Sequence, residues 1–386
     1  MSLFWFCFAA SWMCVYAAFV SALAVGLARL PNKTSRPLPN PPPFMTVLTA
    51  ARNEAENIEA CLRALSDQDY PADRFEIVAV DDHSTDDTFD IAAAFAESRP
   101  SVRVLRLSDL GAEASGKQHA LDYGIQQSRG EIIASVDADC RPPSSWLSAL
   151  ARRFEPETGA LVGFSMLDEP GDNAPLFVKA QSLELLALFS AFAGCVGLNK
   201  PVACTGNNLA YRRAVYDALG GFAQMGDTVA EDNMFLQRVS RQTNWKIETV
   251  FNPEAVVQTK PMLDARSFLR QRLRWASNSL ENRFFAVWFM TVAYGAYLLA
   301  PIGLAAAFLG YAPLWLAGAL LLSKLAPEFV VLWIGLRRFE RHDLWVYWPV
   351  AAALHTAYAL AAGLVGLGGR ASWKGRVHRG QRRRVI

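Results

Sequence analysis

Charge is what this 386-residue sequence has least of: Asp, Glu, Lys and Arg make up 19% of it, while hydrophobic residues make up 52%. An ordinary soluble domain carries roughly 25% charged residues. The shortage is concentrated in a few long apolar runs, which excludes a uniformly soluble chain and points to a soluble domain flanked by membrane segments. Cysteine is sparse and unpatterned. Cys7, Cys14, Cys61, Cys140, Cys195 and Cys204 show no CxxC spacing, so neither a disulfide framework nor a zinc site is expected, in keeping with a reducing compartment. Glycine is missing from Thr49-Ala50-Ala51-Arg52-Asn53-Glu54, the turn after the first candidate strand. Without it a Rossmann dinucleotide fingerprint is excluded. There is no internal repeat, and the one biased segment is Pro37–Pro43, a stiff extended linker. A net charge of +2 gives no reason to expect a nucleic-acid partner.

What is present begins with Leu3 to Leu27, uncharged and, at about 1.5 Å per residue, able to cross a bilayer core. A signal peptide would place its basic residues first. Here Arg29, Lys33 and Arg36 follow the run, so the positive-inside rule puts the N-terminus outside and the next domain in the cytoplasm. Three further runs, Phe284–Leu309, Pro313–Leu336 and Trp345–Leu367, are long enough to span, with Trp288, Trp315, Trp333, Trp345 and Trp348 towards their ends. Lys324 and Glu328 lie four residues apart inside one run and are expected to neutralise one another. Three crossings would leave the seven Lys/Arg from Arg370 onwards outside. The last run, with Pro349, His355 and its glycines, is therefore expected to be re-entrant or interfacial, leaving the basic tail near anionic lipid.

Between the apolar ends the pattern alternates. Strands are predicted at Met45–Ala50, Phe75–Val80, Val102–Arg106 and Glu131–Val136, and helices at Glu54–Ser66, Asp86–Ser98 and Gly116–Gln127. This predicts an α/β domain with a mostly parallel sheet, whose ligands bind beyond the carboxyl ends of the strands. Acidic pairs fall at those ends. Asp137 and Asp139, spaced i, i+2, can share a hard divalent cation, Mg²⁺ or Mn²⁺, which would offset the charge of a nucleotide diphosphate. Asp82 can accept the imide N–H of a uracil-type base, with Ser84 or Asp86 capping the next helix. Glu231-Asp232 precede another apolar helix pattern, and Gln271, Arg274 and Trp275 share one face of a cationic helix. There Arg offers a fork for phosphate and Trp a platform for a sugar or base. Phe177–Leu198 is apolar enough to line a groove open to a bilayer, or to be a core helix.

These residues, in this order over about Thr46 to Arg283, resemble the membrane-bound family 2 glycosyltransferases, a subgroup spanning carotenoid and ceramide glycosyltransferases and hyaluronan- or cellulose-type synthases. The resemblance implies a GT-A fold and a metal-dependent, inverting transfer from a nucleotide-diphosphate sugar, UDP expected. It makes Asp232 the catalytic base and Asp139, with Asp137, the metal site. Ala50, Arg52, Glu54, Asp82, Lys117, Asp137, Gln271, Arg274 and Trp275 become donor contacts, and Gly206, Asn207 and Glu231 the acceptor side. Trp373-Lys374-Gly375-Arg376 resembles tails of the subgroup. The implied organisation is a transmembrane helix (1–28), a linker (29–43), a cytoplasmic catalytic domain (44–263), an amphipathic interface helix (264–283), two or three membrane helices (284–368) and a basic tail (369–386), in a bacterial inner membrane. So few membrane helices favour one transfer to a lipid or carotenoid-like acceptor; the alternatives are a processive polysaccharide synthase or a nucleotide-sugar-binding protein without catalysis.

Overall fold

A computed structural model describes residues 3–31, 36–111, 115–169, 171, 173–225, 231–276, 284–366, 370–373 and 376–379. Lys33, Lys374-Gly375 and the tail from Gly380 lie outside these. The elements run α1 (Leu3–Arg29), β1 (Met45–Ala51), α2 (Ile58–Ser66), β2 (Phe75–Asp81), α3 (Thr88–Glu97), β3 (Val102–Arg106), α4 (Lys117–Gln126) and β4 (Ile132–Ser135). They continue with α5 (Trp146–Ala151), β5 (Thr158–Val162), β6 (Ser165–Leu167), α6 (Leu176–Gly197), β7 (Leu209–Arg212), α7 (Arg213–Ala218), α8 (Glu231–Gln242), β8 (Lys246–Thr249) and β9 (Val257–Thr259). Then come α9 (Ala265–Ala276), α10 (Phe284–Phe308), α11 (Leu314–Arg338), α12 (Trp348–Gly366) and the antiparallel pair β10 (Arg370–Trp373) and β11 (Arg376–Arg379).

The chain forms two compact units. One holds residues 31–169 and 203–261, the other 1–30, 170–202 and 262–386. The expected continuous domain 44–263 is thus interrupted: α6 leaves it and packs with the terminal helices.

The α/β unit is built on a seven-stranded sheet of order β3-β2-β1-β4-β7-β5-β8. β3, β2, β1 and β4 are parallel, β7 runs against both neighbours, and β5 and β8 are parallel to each other. β1 pairs with β2 from Met45↔Phe75 to Ala51↔Asp81. The strands alternate faces, so Met45, Val47, Ile77 and Ala79 enter one core with Ile58, Leu62 and Leu65 of α2, Phe95 of α3 and Trp146 of α5. Leu48 and Val80 point to the other face, against α4, where Gly124 lets the backbone approach: a Cβ there would sit 2.3 Å from Leu48 Cδ1. Helices on both faces explain why β1 and β2 read as nearly unbroken apolar runs.

In the helical unit α1 meets α6 at glycines. A Cβ on Gly197 would lie 2.0 Å from the Gly26 carbonyl oxygen, and one on Gly26 2.2 Å from that of Gly194; small residues allow such close crossings. Among the described residues, four helical segments are long and apolar enough to cross a membrane: Trp5–Arg29, Leu176–Gly197, Val287–Phe308 and Leu314–Arg338. α12 is not in that set among the described residues. α6 is mostly buried, with Leu183, Leu186 and Phe189 inside the unit, and it packs with the membrane-type helices rather than in the core of the α/β unit. Lys324 and Glu328 do pair, at 2.9 Å, and Tyr16 of α1 donates to the same carboxylate.

Candidate active site

The site is assembled where β1, β2 and β4 end. Parallel register brings those ends to one edge, so side chains from residues 50–54, 82 and 137–139 are gathered though far apart in sequence. Asp82 follows β2; its N–H donates to the Ala51 carbonyl at 2.8 Å, and its Oδ1 accepts the Gly116 N–H at 3.0 Å. Gly116 can hold φ 104°, a left-handed value that frees the turn into α4. Asp82 is 1% exposed. Its Oδ2 is buried with no hydrogen-bond partner among the described residues, the Arg52 guanidinium standing 3.6 Å away. A buried orphan acceptor is costly, and a base N–H would satisfy it.

Asn53, Glu54 and Ala55 tie the first loop to the second. The Asn53 N–H donates to Ser84 Oγ at 3.0 Å, the Glu54 N–H to Thr88 Oγ1 at 2.7 Å, and the Ala55 N–H to Asp86 Oδ2 at 3.2 Å. The Asn57 amide binds the Glu54 side chain at 2.6 Å. Of the two proposed caps, Asp86 receives the Thr88 N–H at 3.1 Å, while Ser84 serves Asn53 instead.

Lys117, at the first position of α4, is the centre of the cluster. Its Nζ lies 2.6 Å from Asp137 Oδ1 and 3.4 Å from Glu231 Oε1. Burial works against the ammonium, yet Asp137, Glu231 and Asp232 outweigh it and hold its pKa above the ordinary lysine value. Asp232 stands beside it. Burial and then the Glu231 charge push the Asp232 carboxyl up to about 6, against the opposing pull of Lys117 and of the Asn233 N–H, which donates to it at 2.7 Å. Both acids lie in the first turn of α8, where the helix dipole favours negative charge. Gly206 borders the pair: a Cβ there would be 3.1 Å from both Asp232 Oδ2 and Lys117 Nζ.

Asp139 is held above the usual carboxylate range by burial and then by Asp137, a repulsion that a divalent cation would relieve. Two carboxylates are the hard oxygen donors that Mg²⁺ or Mn²⁺ prefers. Among the described residues no group of three His, Cys, Asp or Glu could hold a metal by itself, so the fit is to an ion that completes its shell with ligand oxygens. Cys140, unremarked in the sequence, donates its thiol to Asp139 Oδ1 at 3.3 Å. The Asn207 amide reaches Cys140 Sγ at 3.8 Å, while its oxygen accepts Ser165 Oγ at 2.9 Å. Its neighbour Asn208, also missed, is fully buried and donates to Phe164 and Ala255 carbonyls, both at 2.8 Å, while accepting the Trp146 indole N–H at 3.0 Å.

Gln271, Arg274 and Trp275 belong to the helical unit, on α9. The buried residue of that signature is Arg272, which sequence spacing passed over. It pairs with Glu184 of α6 at 2.6 Å. His355 Nδ1, 3.2 Å away, and Tyr358 of α12 bind the same carboxylate.

Comparison with known proteins agrees with this arrangement. Residues 46–220 match the family Glycosyl transferase family 2. Over 271 residues, 70% of this chain and 55% of the relative, the sequence is 30% identical to a Beta-monoglucosyldiacylglycerol synthase of Nostoc sp.. It is also 30% identical over 237 residues to a probable glycosyltransferase, YdaM, of Bacillus subtilis, covering 61% and 54%. The chain thus spans about half the length of the curated relatives it matches. Among solved structures it resembles the mannosyltransferase PcManGT from Pyrobaculum calidifontis, solved with GDP-Man and Mn²⁺, at a TM-score of 0.60 and 21% identity over 94% of this chain and 98% of that one. Strand order, strand-end carboxylates and sequence match converge: the chain has a GT-A fold, and its residues 46–220 belong to glycosyl transferase family 2.

Proposed function

We propose that the protein is an inverting glycosyltransferase that moves a sugar from a UDP-type donor onto a lipid acceptor embedded in a membrane. The observation that carries this reading is the cluster of Asp82, Asp137, Asp139, Glu231 and Asp232 around Lys117 at the carboxyl edge of the sheet. It offers a base-binding acceptor at one end and a protonatable carboxylate at the other. The relative named for a monoglucosyldiacylglycerol product supports a lipid acceptor. So do the four apolar helices and the exposed Phe308, Leu309, Tyr311, Leu314 and Trp315 of the helical unit, a surface suited to lipid. Uracil carries an imide N–H and guanine a lactam N–H, and either could donate to Asp82 Oδ2, so UDP is the finer part of the proposal.

In the mechanism Asp82 and Arg52 orient the nucleotide, and Asp137 and Asp139 would hold Mg²⁺ or Mn²⁺. That ion, when bound, neutralises the departing diphosphate. Asp232 takes the proton of the acceptor hydroxyl as its oxygen bonds to the anomeric carbon. The bond from that carbon to the diphosphate oxygen breaks, and its electron pair leaves with the nucleotide. One displacement inverts the anomeric centre. Glu231 keeps Lys117 beside the reacting charges, and Gly206 leaves room for the acceptor.

The test is to incubate membranes containing the protein with a panel of labelled UDP- and GDP-sugars and to separate lipid from polymer. A glycolipid bearing one sugar is expected. A polymer ladder would establish the processive alternative, and no incorporation from any donor would overturn the reading.

A further inference from the structure

We propose that Lys117 is an exchangeable counter-ion: in the free protein its ammonium occupies the Asp137 carboxylate, and it gives that carboxylate up only when a divalent ion arrives together with a nucleotide diphosphate. This rests on the donor-site reading above and adds an order of binding to it. Four carboxylates, Asp137 and Asp139 beyond β4 and Glu231 and Asp232 on α8, stand around Lys117, whose ammonium is within ion-pair distance of Asp137 and Glu231. Its closer contact, 2.6 Å, is to the first residue of the pair that suits a metal, not to the helix acids. A divalent ion entering alone must compete with a fixed positive charge and finds two protein carboxylates, since no third His, Cys, Asp or Glu completes a cluster among the described residues. The ion is therefore bound weakly.

A diphosphate changes both terms. It supplies the missing oxygen ligands, and its negative charge gives the ammonium a partner in place of Asp137. Lys117 sits at the N-terminus of α4, on a stem with four rotatable carbons, so Nζ can swing from Asp137 towards a phosphate while Glu231, 3.4 Å away, stays within reach as a tether. The exchange leaves Asp137 with a cation both before and after the ion arrives, sparing it the cost of an unpaired charge. It also gives a reason for Glu231 to stand beside Lys117 as its second carboxylate partner, after Asp137. Only 5% exposed and in contact with Lys117, it is the residue that retains the lysine after Asp137 is released.

The experiment measures Mn²⁺ binding to the full-length protein in detergent by the electron paramagnetic resonance signal of free Mn²⁺, with and without UDP. Wild-type protein is expected to bind Mn²⁺ weakly alone and at least about tenfold more tightly with saturating UDP. Lys117→Met should bind Mn²⁺ alone at least about tenfold more tightly than wild type, because a like charge near the site has gone, and should lose most of the UDP-dependent gain. Lys117→Arg keeps the charge and should behave as wild type with Mn²⁺ alone, which separates charge from folding damage. Unchanged or weaker Mn²⁺ binding by Lys117→Met, with UDP-dependent binding still seen in wild type, overturns the counter-ion role alone. Absence of any UDP–Mn²⁺ binding by wild type overturns the donor-site reading beneath it.

Discussion

Asp232 carries two opposing influences, burial with Glu231 raising its pKa and Lys117 lowering it, and the balance leaves it at about 6. A general base works only when deprotonated. Activity should therefore be present above that value and be lost as pH falls through it, with kcat/KM dropping about tenfold per pH unit below about 6; a pH–rate profile on the lipid acceptor checks this. Asp232→Asn should slow the chemical step by roughly 10²–10⁴-fold while UDP affinity changes little, a split visible by titration calorimetry beside single-turnover rates. Asp139→Asn should abolish turnover, and a chelator should do the same reversibly. Full activity of wild-type protein in chelator would refute the metal role. Asn208 makes a different demand. Its three buried hydrogen bonds join the turn before β7 to Trp146 and to the Phe164 and Ala255 carbonyls, so Asn208→Ala should cost about 1–3 kcal/mol through unsatisfied partners, read as a lowered melting temperature without a change in the pH profile.

At the scale of elements, two contacts in the helical unit can be tested singly. α1 and α6 cross on Gly26, Gly194 and Gly197, where a Cβ on Gly197 would fall 2.0 Å from a carbonyl oxygen. Gly197→Leu should force the helices apart and raise proteolysis of detergent-solubilised protein, whereas Gly318→Ala, with nothing within 4 Å of the added Cβ, should be neutral. α9 is held by Arg272, whose guanidinium meets Glu184 and lies 4.5 Å from the Phe268 ring centroid and 4.3 Å from that of Trp275. Breaking a buried pair from one side costs more than removing both partners. Glu184→Gln should thus destabilise by about 3–5 kcal/mol, and Glu184→Gln with Arg272→Gln should recover part of the loss. Additive losses in thermal unfolding of the three variants would argue against coupling.

At the scale of the molecule, the terminal helices and α6 form one compact unit and the sheet another. The sheet is interrupted in sequence by a helix that belongs elsewhere. That explains why the reading of 44–263 as one domain failed at 170–202: an apolar helix in a soluble core and one among membrane-type helices have the same composition, and only their neighbours differ. The placement of Trp345–Leu367 also belongs here. We expect it not to cross simply, so cysteines introduced into the basic tail should be protected from an impermeant label in intact cells; labelling from outside would refute that arrangement.

Local chemistry by itself determined much of this protein. Apolar runs marked α1, α10 and α11, strand alternation and length marked β1 to β4 within a residue or two, and acidic residues at strand ends marked Asp82, Asp137 and Asp139, because parallel strands put their carboxyl ends on one edge whatever the rest of the fold does. Tertiary structure decided the remainder. Which acid pairs with Lys117, that Arg272 rather than Arg274 is the buried charge of its helix, and that Asn208 and Cys140 stand behind Asn207 and Asp139 all depend on contacts between segments distant in sequence. Spacing along one helix or strand says which residues share a face. It does not say what that face meets, and burial, ion pairing and the pKa of Asp232 are properties of the meeting.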